Sequence, residues 1–372
     1  MPFPSRRRFL RTSVGLAAGA WLSGCDGQPS GGGPFAGQEL RVFCYAGGHE
    51  VALREVFVPA FEAATGARVS VFPGWWDGIP KLKAAPPDQP PFDLMISDAT
   101  QGFPAAREGL FAQLSLDNIP NHKTLTPAAI DHWVFKDRYG ITYPDSVMTL
   151  AFHKTRVPDP PRRWADLLRP DIAGKIGLYN AYYMSLFTFA CIRADADGKP
   201  GTAHDLLRTD LDGVLQFARE NRRRVKLWWP TSTDMILALA NGDCAAGNMH
   251  SPEYLQALRE KSDLGASVPD RDRAFVQVFW AVPAGTQRKD LAEKAIDAIF
   301  SEEMQLGFAR KGSATAVPAV AVRMAAEDPF WKQLYPHTPE QFAGLRYYPY
   351  DLYAEHSSHI ADTWDRTVLR DG

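Results

Sequence analysis

Cysteine is scarce in this chain, and the four present, Cys25, Cys44, Cys191 and Cys244, form no C-x-x-C pair, which argues against a zinc site or a disulfide framework. No apolar run approaches the ~20 residues a membrane-spanning helix needs; the stretch from Val14 to Leu22 falls well short. Basic excess is absent too. Lys and Arg number 41 against 43 Asp and Glu, for a formal charge of -2, and residues 1–24 hold four arginines and no acid, so the remainder sits at -6. Nucleic-acid binding is therefore not expected. G-x-S-x-G, H-E-x-x-H and a Gly-rich phosphate loop are all missing. No internal repeat or low-complexity block follows residue 37.

What is present begins with an address. Ser5-Arg6-Arg7-Arg8-Phe9-Leu10-Arg11 matches the twin-arginine export pattern S-R-R-x-F-L-K, with Arg11 in place of Lys, and an apolar stretch of signal length follows. Leu22-Ser23-Gly24-Cys25 resembles the lipobox of bacterial lipoproteins, in which the signal is cut before a Cys that then carries the lipid. An ordinary secretory signal would also place basic residues before an apolar run. Residues 26–37, rich in Gly, Pro and Ser, read as a flexible tether. The expected location is the periplasm, lipid-anchored, after export by the twin-arginine route. Export of a folded protein from a reducing cytoplasm suits three remaining thiols read as buried and free.

Beyond the tether, 45% hydrophobic and 23% charged residues describe an ordinary globular body, and roughly 335 residues favour two domains. Leu40–Tyr45, Ala67–Phe72 and Phe92–Ser97 read as strands, with a helical pattern from Leu53 to Ala64 between the first two, kinked or restarted at Pro59 and stopped at Gly66. That order predicts a parallel α/β sheet whose ligands sit at the strands' carboxyl ends. Tyr139–Tyr143 and Val147–Phe152 read as two strands flanking Pro144-Asp145. Downstream, 203–219, 233–241 and 252–261 are helical in pattern, and 176–179, 225–229 and 244–248 can serve a second sheet.

Several segments resemble family 1 extracellular solute-binding proteins of ABC importers. Phe61-Glu62-Ala63-Ala64-Thr65-Gly66-Ala67-Arg68-Val69 is similar to their F-x-x-x-T-G-x-x-V signature, and Phe92-Asp93-Leu94 to their Y/F-D-L strand. Arg163-Trp164-Ala165-Asp166-Leu167-Leu168-Arg169-Pro170 with Gly174-Lys175 resembles S-W-A-D-L-x-x-P-x-x-x-G-K, and Ala240-Asn241-Gly242-Asp243 and Pro318 fall in family order. The spermidine/putrescine-binding and ferric-iron-binding branches are closest in motif layout. The resemblance implies a type II periplasmic binding protein fold: two α/β lobes joined by two crossover strands, placed near 143–147 and 275–280. The boundaries expected are a signal at 1–24, a tether at 25–37, lobe one at 38–144 and 281–335, and lobe two at 145–280 and 336–372. It implies a monomer that captures a small solute and delivers it to permease subunits, with no cofactor and no catalysis.

Trp75-Trp76-Asp77 and Trp228-Trp229 are the two aromatic clusters. A Trp face beside a carboxylate can hold an organic cation, or stack on a sugar or flat ring, although one Trp of each pair is expected in the core. Tyr45, Asp98, Asp145, Asn180, Tyr182, His250 and Trp280 fall on segments that line the cleft in the family, and with His49, Trp75, Trp76, Asp77 and Trp229 they form the candidate ligand set. Polyamine binders use acids from the second lobe and the returning crossover. Here 179–185 and 274–280 contain none, which favours a single cationic head or a neutral ring over a polyamine. His49 corresponds to an iron ligand in some relatives, but 247–254 lacks their paired tyrosines; a ferric-iron binder and a periplasmic glycoside hydrolase are the alternatives.

Overall fold

The computed structural model describes residues 32–370, so the expected export signal and the expected lipid site at Cys25 lie outside the described residues. The end of the expected tether is not loose. Residues 34–37 form a turn, Phe35 packs on the core, and its N–H donates to Thr65 O at 3.0 Å.

Nine strands occur among the described residues: β1 (Glu39–Tyr45), β2 (Arg68–Gly74), β3 (Leu94–Asp98), β4 (Ile141–His153), β5 (Ile176–Tyr179), β6 (Val225–Trp229), β7 (Ala246–His250), β8 (Leu264–Ser267) and β9 (Phe275–Ala281). They follow one continuous path, β2-β1-β3-β9-β4-β7-β5-β6, with β8 paired to β4. Lobe one holds β1, β2 and β3 in parallel; lobe two holds β5, β6 and β7 in parallel. Antiparallel β4 and β9 join them, as crossovers should.

Two expectations about β4 need correction. It is one strand of 13 residues, not two strands around Pro144, and it makes a single sheet of the two expected ones. A proline lacks an N–H and normally ends central pairing. Here the register with β9 shifts between Pro144 and Val147, so the missing donor falls at the irregularity between lobes. Residues 145 and 146 are the turning point.

Local chemistry explains other departures. The pattern from Leu53 to Ala64 becomes a wide π turn, Leu53–Phe57, leading into the helix Val58–Thr65. Pro59 sits in that helix's first turn, where no N–H is needed, and leaves Glu55 O without its usual i+4 donor. Gly66, at φ 73°, adopts the left-handed conformation that stops the helix. The span expected as one helix from 203 to 219 breaks at Asp210, which caps Leu211–Asn221 by accepting from Gly213 N and also pairs with Arg193 Nη2 at 2.7 Å. The helix Tyr182–Ala196 is buried along most of its length, and an apolar run without an amphipathic stripe hides it from periodicity.

A C-terminal segment spans both lobes. Tyr347 Oη donates to Ala128 O of lobe one at 3.4 Å, and Asp351 lies 3.6 Å from Arg107. On lobe two its contacts are tighter: Tyr353 Oη donates to Tyr183 O at 3.1 Å, and Trp364 Nε1 to Asn180 O at 2.8 Å. Helix Pro329–Leu334 also leans on lobe two, through the Arg259–Asp328 ion pair and Gln333 Nε2 donating to Ala266 O.

Candidate solute-binding cleft

Lobe one contributes a fixed carboxylate. Asp98 ends β3 and caps the helix Ala99–Arg107, its Oδ1 accepting from Thr100 N at 2.8 Å. Its Oδ2 accepts from Tyr45 Oη at 3.0 Å, while its own N–H donates to the same hydroxyl at 2.5 Å, so Tyr45 clamps the residue from β1. No Lys or Arg pairs with Asp98 among the described residues. Burial raises its proton affinity above the ordinary carboxylate range, more than the hydrogen bonds from Tyr45 and Thr100 lower it.

Lobe two faces it with rings. Burial pushes the hydroxyls of Tyr179, Tyr182 and Tyr183 up, and the Asp98 carboxylate adds to each rise. Asn248 on β7 explains how they are held. Its Oδ1 accepts from Tyr179 N at 2.9 Å, and its Nδ2 donates to Ser185 Oγ and Thr188 Oγ1, tying the end of β5 to the helix that carries Tyr182 and Tyr183. Fully buried, this side chain has all its hydrogen bonds local. His250 completes the wall, its Nε2 lying 3.2 Å from Tyr183 Oη and its Nδ1 3.3 Å from Ser146 Oγ. Burial drives its pKa down to about 4, against a small upward pull from Asp145, so the imidazole is neutral at pH 7.

The remaining expected residues separate. Trp75 is 58% exposed and stacks on Tyr45 with ring centroids 5.9 Å apart, at the mouth of the cleft; Trp76 is 43% exposed. Asp77 stands apart from Asp98: it is exposed, accepts from Trp75 N at 2.8 Å and pairs with Lys81 at 2.5 Å. Asp98 is the acid bonded to a ring of the Trp75–Tyr45 stack, through Tyr45 Oη. Trp229 is 0% exposed and stacks behind Tyr179 at 4.4 Å, supporting the wall from the core. Trp280 is buried on β9 opposite Ile96 and Ile141. Asn180 meets the structure through its backbone, its N–H bound to Trp229 O and its O to Trp364. His49 Nε2 lies 3.0 Å from Asp145 Oδ1, an ion-pair contact whose angle falls short of a hydrogen bond. No group of three or more His, Cys, Asp or Glu is arranged to hold a metal among the described residues.

Two contributors escaped sequence reasoning. Tyr350, from the C-terminal segment, is buried between Tyr183 and Phe103, and its hydroxyl is raised by burial and then by Asp98. Nothing local marks it. Glu253 sits in the first turn of the helix Ser251–Glu260, exposed to solvent, and its pKa is raised by desolvation, with Asp145 adding to the rise and His49 opposing it. Lobe two therefore does supply an acid, in a stretch read only for its lack of tyrosine pairs.

Residues 57–337 match the family described as bacterial extracellular solute-binding protein. The chain belongs to that family. This solute-binding protein is 23% identical over 346 residues to a gamma-aminobutyric acid-binding protein of Pseudomonas aeruginosa, covering 90% of this chain and 92% of the relative. Its fold is similar to that of a GABA receptor, with TM-score 0.74, 19% identity, and 90% and 99% of the two chains covered. It also matches a spermidine/putrescine ABC transporter substrate-binding protein from Streptococcus pneumoniae, with TM-score 0.70, 17% identity, and 89% and 99% covered.

Proposed function

We propose that this protein captures a small solute with an ammonium head in the cleft between its lobes and hands it to an inner-membrane permease. Asp98 carries the proposal. Its carboxylate is held by uncharged donors only, faces an array of tyrosines, and has no cation of the protein beside it. A half-buried carboxylate in that state is costly until a cation arrives, and a solute ammonium satisfies both its charge and its free lone pairs. Tyrosine faces add attraction of ~0.5 to 2 kcal/mol per ring. Gamma-aminobutyric acid, named for the Pseudomonas aeruginosa relative, has one such head. Polyamines have more, and apart from Asp98 the cleft offers Glu253 and a His49-paired Asp145. Binding proceeds without covalent chemistry: the solute bridges the lobes, the hinge closes, and the closed form is the one the permease recognises. Twin-arginine export and a lipid on Cys25 would keep the protein at the membrane where that permease sits.

Titration calorimetry with 4-aminobutanoate, putrescine, spermidine and choline, on wild type and Asp98→Asn, tests this reading. An amine should bind wild type, raise its melting temperature by mass action, and lose most affinity in the variant. Binding indifferent to Asp98→Asn, or no binding of any amine, would sink the proposal. Export is tested separately: Cys25→Ser should leave the protein unanchored, and normal membrane attachment of that variant counts against the lipid site.

A further inference from the structure

The register of the crossover strand with β9 shifts between Pro144 and Val147. Two ionisable side chains from different parts of the molecule meet there: His49, in the first helix of lobe one, places Nε2 3.0 Å from Oδ1 of Asp145, which sits at the irregularity. Glu253 stands on the first turn of a lobe-two helix whose Ser251 Oγ accepts from Val147 N at 2.9 Å. A change of interlobe angle changes the His49–Asp145 contact, because the two side chains ride on different segments.

We infer that His49, Asp145 and Glu253 form a proton-dependent latch across the hinge: charged His49 holds the lobes at the angle seen here, and neutral His49 lets the angle relax. The inference rests on the solute-binding reading only in taking the lobes to move as a binding protein's do. The latch is electrostatic and local. His49 faces Asp145 from β4, Glu253 from the lobe-two helix, and the edge of the Tyr45 ring at 5.6 Å; its neighbour Glu50 is paired with Arg54. Asp145 in turn faces Tyr45, Tyr143, Tyr335, His250 and Glu253. The tyrosines and His250 are neutral at pH 7, so His49, whose pKa is raised, is the side chain of the group that supplies positive charge as pH falls. Burial alone would lower the His49 pKa, but Asp145, with a smaller pull from Glu253, outweighs it and raises the net value. A group raised on folding contributes fully below its unfolded pKa and stops contributing as pH rises through the folded value. The latch is thus set in mild acid and released toward alkaline pH.

Spin labels on Ala63→Cys in lobe one and Gln216→Cys in lobe two, in a Cys25→Ser background, report the interlobe distance; Cys44, Cys191 and Cys244 are buried. Without any solute, double electron–electron resonance at pH 6 should give a narrower distribution than at pH 9. The ratio of held to relaxed molecules should change about tenfold for each unit by which the latch raises the His49 pKa. His49→Gln and Asp145→Asn should look at pH 6 as wild type does at pH 9, and Glu253→Gln should respond more weakly than wild type. Circular dichroism melting of each variant checks that it is folded. A distribution unchanged with pH in wild type, or a full pH response in His49→Gln, overturns the latch. The readout contains no solute, so an intact pH response with no amine binding would count against the proposed function alone.

Discussion

The two walls of the cleft use opposite means. Lobe one brings charge: Asp98 and His49, set by a tyrosine clamp, a helix cap and an ion pair. Lobe two brings mostly neutral rings, held from behind by a fully buried Trp229, a fully bonded Asn248 and an uncharged His250. Charge can be left near solvent because a few directed bonds orient it, whereas a ring wall keeps its shape only through dense packing behind it. The two Trp pairs, alike in sequence, divide along the same line, with Trp75 and Trp76 exposed on lobe one and Trp229 sealed inside lobe two.

The sharpest way to break that contrast is to truncate the sealed ring. Trp229→Ala should cost ~3 to 5 kcal/mol of stability in chemical denaturation. A loss below 1 kcal/mol would show lobe two to be as loosely backed as lobe one. Next comes charge. Asp98→Asn keeps the helix cap, because Asn caps as well as Asp, yet should weaken binding of a cationic amine by ~2 to 4 kcal/mol in calorimetry. The same variant should show a steeper acid limb without solute, because it loses a group that favours the folded state as pH falls. The folded Asp98 pKa lies above 3.8, so the folded state binds more protons there, and this residue's contribution to stability falls as pH rises through that window.

His250 has the reverse sign and tests the neutral wall. Its pKa falls from 6.5 to about 4 on folding, so its contribution is present above the unfolded value and lost as pH drops through that interval. Melting curves from pH 7 to 4 should lose up to ~2 kcal/mol from this group, discounted for solvent in the cleft, and His250→Gln should remove that component. The smallest effect belongs to the rim. Trp75→Ala should change stability by less than ~0.5 kcal/mol while weakening the bound amine by about 1 kcal/mol. Equal losses in both quantities would make Trp75 a packing residue.

Sequence alone determined most of the sheet-forming segments, the stop at Gly66 and the family motifs, because alternation, Gly and Pro punctuation and short spacings are written over a few neighbouring residues. The strand Leu40–Tyr45 and the helix stop at Gly66 are where they were expected, within a residue or two. Tertiary structure decided which side chains meet. Asp98 rather than Asp77 bonds the Tyr45 ring of the Trp75–Tyr45 stack, while Asp77 pairs with Lys81 one helical turn along. Tyr350 and Glu253 reach the cleft from segments whose local pattern carries no sign of it, since a contact between residues far apart in the chain depends on how whole elements pack, and local periodicity encodes only which face of an element is apolar.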